Sequence, residues 1–212
     1  NPPYSIKSWD QKSFDSDPFG RNLWGTPPQG CADYAFQQHI QKSLDKGNGR
    51  SISLWPHGVL FRDSEAEMRR KMIEDDLVDC VIGLGPNLFY NSPMEACLLI
   101  TATNKPEARK GKVLIINAVK EVTQDKNIAF LESKHINKIY NNYKAFHNVS
   151  GFSRVLSIEE ILNSKASLNI AQYVSNVETN NEVLSLNEAL SGWEDSSSAL
   201  QSSMNQLFQI LK

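Results

Sequence analysis

Residues 77–118 read LVDCVIGLGPNLFYNSPMEACLLITATNKPEARKGKVLIINA, and this stretch decides the fold. It contains three apolar runs, at 77–85, 96–103 and 112–118, which are separated by segments rich in proline, glycine and asparagine. Runs of this length between turn-forming residues are typical of strands, and their near-continuous apolar character is typical of strands covered on both faces. The stretch therefore predicts three buried strands of one sheet.

The segments on the N-terminal side of this stretch add helices and a fourth strand. CADYAFQQHIQKSL predicts a helix over about 32–45, and RSISLW predicts a strand over 50–55. DSEAEMRRKMIEDD predicts a helix that begins at a capping box, with Ser64 as the N-cap and Glu67 three positions later. Strands that alternate with helices indicate an α/β fold.

From about residue 126 the pattern becomes helical. ESKHINKIYNNYKAF is amphipathic, and SIEEIL begins a short helix at a second capping box, Ser157 with Glu160. A polar linker is predicted over 175–182 and a last helix over about 197–211, whose apolar stripe fits either a core or a partner-docking element. We therefore divide the chain into a core, 1–125, and a helical C-terminal extension, 126–212, which we expect to dock another subunit.

The first four residues, Asn-Pro-Pro-Tyr, form a rigid and non-helical elbow. Pro2 and Pro3 have fixed φ angles and no N–H, so the Pro2 carbonyl points in one direction without a competing donor nearby. The Asn1 side chain adds a second oxygen acceptor, and Tyr4 adds a flat aromatic face. Two convergent acceptors beside an aromatic ring suit the exocyclic amine of an aromatic base. The alternative is a plain Pro-Pro turn.

Composition and charge limit the other possibilities. The net charge of −2 does not indicate a nucleic-acid partner by itself, and no apolar run is long enough for a membrane helix, so no membrane partner is expected. The histidines and cysteines show no zinc spacing, and we predict no metal. Three widely spaced cysteines are typical of buried free thiols in a cytoplasmic protein. In the loop-like segment 5–30, Lys7, Lys12 and Arg21 are candidate phosphate contacts in DNA binding, with solvated loop charges as the alternative.

Four stretches together resemble the modification (M) subunits of type I restriction-modification systems, which are N6-adenine DNA methyltransferases. They are NPPYS at 1–5, WGTPPQGCADYAFQQHI at 24–40, the long stretch 52–100, and KVLIINA with FSRVLSIEEI at 112–118 and 152–161. The resemblance implies the C-terminal part of a class I methyltransferase, an α/β fold with a mixed sheet, flanking helices and a C-terminal helical extension. It also implies S-adenosylmethionine as the cofactor of the full-length protein. The implied partners are DNA, a specificity (S) subunit, a restriction (R) subunit and a second modification subunit.

The resemblance also implies roles for individual residues. Asn1, Pro2, Pro3 and Tyr4 match the family's catalytic loop, and adenine must be flipped out of the duplex to reach them. Tyr4 would stack on the flipped base, and Phe89 or Tyr90 would supply the opposite face, unless Phe89 is core and Tyr90 a surface residue. We expect Pro56, His57 and Gly58 either to form a structural turn or to line the pocket. Asp33 and His39 are expected to contribute to helix packing.

The sequence also departs from the family pattern. No glycine-rich loop of the kind that binds the cofactor is present, and we expect this chain to bind S-adenosylmethionine poorly or not at all and to be a piece of a longer protein. Two alternatives to a methyltransferase fragment therefore stay open. One is a non-catalytic module that docks a specificity subunit, and the other is an enzyme that methylates an amino group of RNA or of a protein glutamine.

Overall fold

The computed structural model describes residues 1–89, 92–126, 128–175 and 186–210. The strands of the described residues are β1 (Arg50–Pro56), β2 (Val78–Leu84), β3 (Ala96–Ala102), β4 (Lys112–Ala118), β5 (Thr123–Asp125), β6 (Ile128–Phe130) and β7 (Ser153–Ser157). The α-helices are α1 (Gln11–Asp15), α2 (Asp33–Ser43), α3 (Ala66–Glu74), α4 (Ser133–Ala145), α5 (Ile158–Asn163), α6 (Ile170–Tyr173) and α7 (Leu186–Ile210). Short 3-10 turns occur at His57–Leu60, Asp63–Glu65 and Glu107–Arg109.

Five strands form one mixed sheet in the order β1-β3-β2-β4-β7, which confirms the predicted α/β fold class. Strand β3 is antiparallel to both of its neighbours, so β1 and β2 run in the same direction and end at the same edge of the sheet. Strands β2 and β4 are parallel, and β7 closes the far side in antiparallel register with β4. Strand β1 is the edge strand at the opposite end of the sheet, and its residue Ile52 is 67% exposed.

The three strands predicted from 77–118 are confirmed, and every residue of β2 is buried. One face of the sheet packs against a core that includes Trp55, Tyr34 and Met72, and the other against a core that includes Leu114 and Phe152. The sheet is therefore covered on both faces, as the apolar runs predicted.

The prediction of a capping box at Ser64 is wrong. The chain first makes the 3-10 turn Asp63–Glu65, and α3 begins at Ala66 without a side-chain hydrogen bond at its N-cap. The reason is that the Glu65 side chain turns inward and accepts a hydrogen bond from Nε of Arg62 at 2.8 Å. The second predicted cap is confirmed, since the Ser157 side chain accepts from the backbone N–H of Glu160 at 3.1 Å.

The structure divides the chain into two compact units, residues 1–176 and 177–212. The boundary that we predicted at residue 125 falls inside the first unit, because β7 (Ser153–Ser157) pairs with β4 and belongs to the main sheet. The helical pattern after residue 126 is confirmed for α4, whereas the last helix starts at Leu186, earlier than predicted. The predicted linker lies almost wholly outside the described residues.

Candidate functional site

A small pocket opens at the edge of the sheet where β1 and β2 end. Its volume is about 160 Å³, and its lining residues are Asn1, Tyr4, Leu54, Phe89, Ser92, Met94, Glu95 and Ala96. Ligands of α/β proteins commonly bind beyond the carboxyl ends of strands. The pocket therefore brings together three of the residues predicted from the sequence, Asn1, Tyr4 and Phe89, although 85 positions separate Tyr4 from Phe89 in the chain.

The elbow contributes one wall of this pocket. The Tyr4 hydroxyl donates a hydrogen bond to Oδ1 of Asn1 at 3.4 Å, and the Tyr4 ring lies against the Trp55 ring with a centroid distance of 6.5 Å and an interplanar angle of 41°. Burial of the Tyr4 side chain, and to a lesser extent the nearby Cys97, raises the pKa of its hydroxyl above the ordinary value. Tyr4 therefore stays a neutral hydrogen-bond donor. The Asn1 side chain is exposed and available to a ligand.

The loop after β2 contributes further lining residues, among them Phe89 and Ser92. Gly85 and Pro86 end the strand, Asn87 adopts a left-handed conformation with a φ of +60°, and the loop closes with a hydrogen bond from the Ser92 amide to the Phe89 carbonyl at 3.1 Å. Phe89 is half-buried and packs against the second core. The Ala129 amide of β6 donates to the Asn87 carbonyl at 3.0 Å, so the small β5–β6 hairpin supports the loop from outside. Tyr90, the other candidate for base stacking, lies outside the described residues.

His57 is not among the residues that line the pocket. Its Nε2 lies 2.9 Å from the Ala96 carbonyl, and its Nδ1 lies 3.5 Å from a carboxylate oxygen of Glu95. His57 is thus joined to Glu95 and Ala96, which do line the pocket. The pocket lining also includes Ser92, Met94 and Glu95, which were not predicted individually from the sequence. The signal that could have identified them is their position in the loop that follows Phe89.

The three basic residues of the N-terminal loop are not part of the pocket. Lys7 and Lys12 are exposed, and Lys12 borders a separate groove with Thr26. Nε of Arg21 donates to Oδ1 of Asp17 at 2.9 Å, and this contact lowers the pKa of the Asp17 carboxyl. The Arg21 guanidinium also lies 5.1 Å from the Phe19 ring centroid. Their role in DNA binding stays a prediction.

One group of possible metal ligands occurs among the described residues. The ligand atoms of Cys31, Asp33 and Glu65 lie within 4.8 Å of one another. The guanidinium of Arg62 bridges Asp33 and Glu65, so a cation already occupies the position where a metal would bind. Desolvation raises the pKa of the Cys31 thiol to about 12, and a protonated thiol is a poor metal ligand. The donor set therefore fits an internal ion-pair cluster. His39 lies apart from this cluster and is exposed on α2.

The predicted thiols are confirmed: Cys31, Cys80 and Cys97 are all buried and free. In the part of the chain that the structure describes, no helix combines the length and the apolar character needed to cross a membrane.

Comparison with known proteins gives consistent results. The model of the family described as N-6 DNA Methylase matches residues 1–182. The chain is 36% identical over 189 residues to the type I restriction enzyme MjaVIII methylase subunit of Methanocaldococcus jannaschii. The match covers 86% of this chain and 32% of that relative. It is 38% identical over 120 residues to the type I restriction enzyme HindI methylase subunit of Haemophilus influenzae. That match covers 56% of this chain and 26% of the relative.

A solved structure agrees with these relatives. The methyltransferase subunit of a type I restriction-modification system from Streptococcus thermophilus superposes with a TM-score of 0.76 at 35% identity, and the match covers 82% of this chain and 37% of that one. The M protein of the type I restriction enzyme EcoKI shares the fold, with a TM-score of 0.56 at 17% identity over 89% of this chain and 47% of that one. The chain thus spans between a quarter and a third of the curated relatives just described.

Proposed function

Because the chain belongs to the N-6 DNA methylase family, we propose that it is the C-terminal part of the modification subunit of a type I restriction-modification system. The complete subunit transfers a methyl group from S-adenosylmethionine to N6 of adenine in DNA. One observation supports this proposal above the others: Asn1, Tyr4 and Phe89 line a single pocket at the carboxyl edge of β1 and β2. The lining includes the Asn1 acceptor and aromatic surface but not Pro2, whose carbonyl follows Asn1 in the elbow. An acceptor beside aromatic rings is the combination that an extruded adenine needs.

The elbow acts on the adenine amine. The Asn1 side-chain oxygen and the Pro2 carbonyl accept the two N6 hydrogens, and both contacts increase the electron density on nitrogen as it bonds to carbon. Pro3 holds the Pro2 carbonyl in place, since it keeps Pro2 out of the helical region. Attack by N6 would form the new N–C bond while the bond from that carbon to the sulfonium sulfur of S-adenosylmethionine breaks, and the electron pair would stay on sulfur to leave a neutral thioether. The positive charge on N6 would then be lost when one of its protons passes to water. No general base is needed before attack, because positioning and electrostatics carry the rate.

The aromatic walls bind the flipped base. We propose that Tyr4 and Phe89 stack on the two sides of the flipped base, and stacking on an aromatic side chain stabilises a base by roughly 1–3 kcal/mol. This offsets part of the cost of taking adenine out of the duplex. Tyr90 remains a second candidate for the same contact. Lys7, Lys12 and Arg21 are proposed to contact the DNA backbone, and for Arg21 this requires that the Asp17 contact be exchanged for phosphate.

The cofactor supplies the electrophilic methyl group. The pocket, at about 160 Å³, is smaller than the roughly 300–1,000 Å³ usual for ligand sites. It suits one base and does not also accommodate a nucleoside cofactor.

The partners are proposed from the same family. We propose that the complete subunit assembles in the cytoplasm with a specificity subunit, a restriction subunit and a second modification subunit. Residues 126–212 would supply docking contacts, and α7 is the strongest candidate because several of its large apolar side chains are exposed. These side chains are Leu190, Trp193, Leu200 and Met204. The non-catalytic alternative, in which docking is the chain's whole role, rests on the same helix.

The test is Asn1→Ala in the complete protein with its partner subunits. We expect transfer of a labelled methyl group to duplex DNA to fall by at least about 100-fold, because a preorganised hydrogen bond to the reacting group is lost. DNA binding should stay within about twofold, since base stacking and phosphate contacts remain. Asn104→Ala, at an exposed asparagine away from the pocket lining, is the matched control. Near-normal transfer by Asn1→Ala, or preferential methylation of RNA or of protein glutamine by the unmodified protein, would refute the proposal.

A further inference from the structure

We propose that Asp33 is a positioning residue for the catalytic elbow. It fixes the backbone immediately after Asn-Pro-Pro-Tyr by accepting the amide proton of Ser5. The assignment of a catalytic consequence rests on the proposed function, whereas the contact itself does not.

The contact joins two distant parts of the sequence. The Ser5 amide donates to Oδ1 of Asp33 at 2.6 Å, and the Ser5 hydroxyl lies 3.4 Å from Oδ2. Asp33 is the first residue of α2, and its side chain is completely buried. A buried carboxylate strengthens hydrogen bonds from backbone amides, because the charged acceptor lies in a medium of low dielectric constant. The helix and the elbow are thereby joined at one peptide group.

The conformation of Ser5 explains why such an anchor is needed. Its φ is +47°, in the left-handed region that residues other than glycine rarely adopt. The local chain does not favour this conformation, so a contact from outside must hold it. The peptide group that Asp33 holds links Tyr4 to Ser5, and its orientation therefore sets the direction in which Tyr4 and the prolines leave the body of the protein. If the anchor is lost, the elbow gains freedom at the point where it enters the pocket.

A second side chain keeps Asp33 in place. Nη2 of Arg62 donates to Asp33, Nε donates to Glu65 at 2.8 Å, and Nη1 lies 3.4 Å from the Ser5 hydroxyl. Arg62 follows the turn after β1, so it connects the elbow to the same strand that supplies Leu54 to the pocket. The guanidinium also places a positive charge beside the buried Asp33 carboxylate, and such a partner offsets the cost of burying a charge. Asp33 therefore has one oxygen directed at the elbow amide and its partner fixed by Arg62.

The chain offers a matched control in Asp79. Its side chain is 1% exposed, and it is also held by hydrogen bonds, from Nη1 of Arg109 at 3.0 Å and from the Tyr143 hydroxyl at 2.7 Å. The Tyr143 contact links β2 to α4 beside the second core, and the Arg109 contact links β2 to the 3-10 turn Glu107–Arg109, whereas Asp33 acts at the elbow. Asp79→Asn should destabilise the protein by a similar mechanism and leave the elbow unchanged.

The direct test is hydrogen exchange at the Ser5 amide in the complete protein, compared among Asp33→Ala, Asp33→Asn and Asp79→Asn. We expect this amide to exchange at least about tenfold faster in Asp33→Ala, since a hydrogen bond to a charged group is lost. Asp33→Asn keeps an oxygen acceptor and should give an intermediate rate. Asp79→Asn should leave the exchange rate of the Ser5 amide unchanged when each variant is measured at the same number of degrees below its own Tm. If Asp33→Ala does not fold, Asp33→Asn against Asp79→Asn provides the same comparison.

The kinetic test separates positioning from general stability. We expect Asp33→Ala to lower kcat for methyl transfer by about 10- to 100-fold with KM for DNA nearly unchanged, as a small misplacement of reacting groups does. An unchanged Ser5 exchange rate in both Asp33 variants, or an equal increase in Asp79→Asn, would overturn the proposal. If Ser5 exchange responds only to Asp33 but the unmodified protein transfers no methyl group, the anchor stands and the proposed function fails.

Discussion

Replacement of Gly85 by alanine should destabilise the protein more than replacement of Gly83, although both glycines are buried, Gly83 within β2 and Gly85 directly after it. A Cβ atom at Gly85 would lie 2.5 Å from the backbone carbonyl oxygen of Val119 and 3.3 Å from Cγ1 of Val122. A Cβ at Gly83 would lie 2.7 Å from Cδ1 of Ile170, which is the end of a flexible side chain. A backbone carbonyl beside a strand cannot move without shifting the strand, whereas a terminal methyl group can change rotamer.

The sizes of the two effects follow from this difference. Overpacking of a core costs about 1–3 kcal/mol, so we expect about 1 kcal/mol for Gly83→Ala and about 3 kcal/mol for Gly85→Ala. For a domain of this size each kcal/mol lowers Tm by roughly 2–4 °C, which gives losses of about 2–4 °C and about 6–12 °C. The measurement is thermal unfolding of the 212-residue chain by circular dichroism.

A double variant tests the cause at Gly83. Ile170→Val removes the methyl group that the new Cβ would meet, so Gly83→Ala combined with Ile170→Val should be more stable than the sum of the two single losses predicts. The reasoning fails if Gly83→Ala lowers Tm more than Gly85→Ala, or if the two changes in the double variant are additive. Because Gly85 leads into the loop that carries Phe89, a shift of this loop in Gly85→Ala should also widen the pocket.

Three further predictions follow from burial and exposure. Desolvation raises the pKa of Cys31 and Cys97 to about 12 and that of Cys80 well above its ordinary value, so none should react with an aromatic disulfide at pH 8 until the protein is unfolded; stoichiometric labelling of the native chain would contradict this. Desolvation also raises the pKa of Glu65 above its ordinary 4.5, so the folded state binds its proton more tightly than the unfolded state, and stability is lost as pH rises through the folded pKa. The stability of Glu65→Gln relative to the unmodified protein should therefore rise with pH above about 4.5, as measured by urea unfolding at several pH values, and a fall would show that the sign is wrong. Deletion of residues 185–212 should weaken co-purification with a specificity subunit, and undiminished co-purification would count against a docking role for α7.

The sequence predicted the central sheet well because the signal is local. Strands β2, β3 and β4 are apolar at most of their positions, and burial on both faces produces that pattern wherever the strand lies. Strand β7 was missed because SRVLS has only two apolar residues, Val155 and Leu156, without alternation, and is too short to stand out. Its place in the sheet depends on pairing with β4, which lies more than 30 residues earlier.

The same distinction applies to the candidate site. Asn1 and Tyr4 were identified because their residue types carry the proposed chemistry, Phe89 was identified through the family resemblance, and the pocket brings the three together. Asp33 was assigned to helix packing because local spacing gives no sign of a hydrogen bond to an amide 28 residues away. The capping box at Ser64 failed for a related reason, since Arg62 draws Glu65 inward and the helix begins later.

The position of β1 at the side of the sheet has a practical consequence for the isolated chain. Among the described residues, β1 pairs only with β3, so the outward backbone groups along Arg50–Pro56 are without strand partners, and Ile52 adds an exposed apolar side chain. A row of this kind recruits strands from other molecules. Preparations of this chain alone should therefore self-associate as their concentration rises, and a charged residue in place of Ile52 should keep them monodisperse.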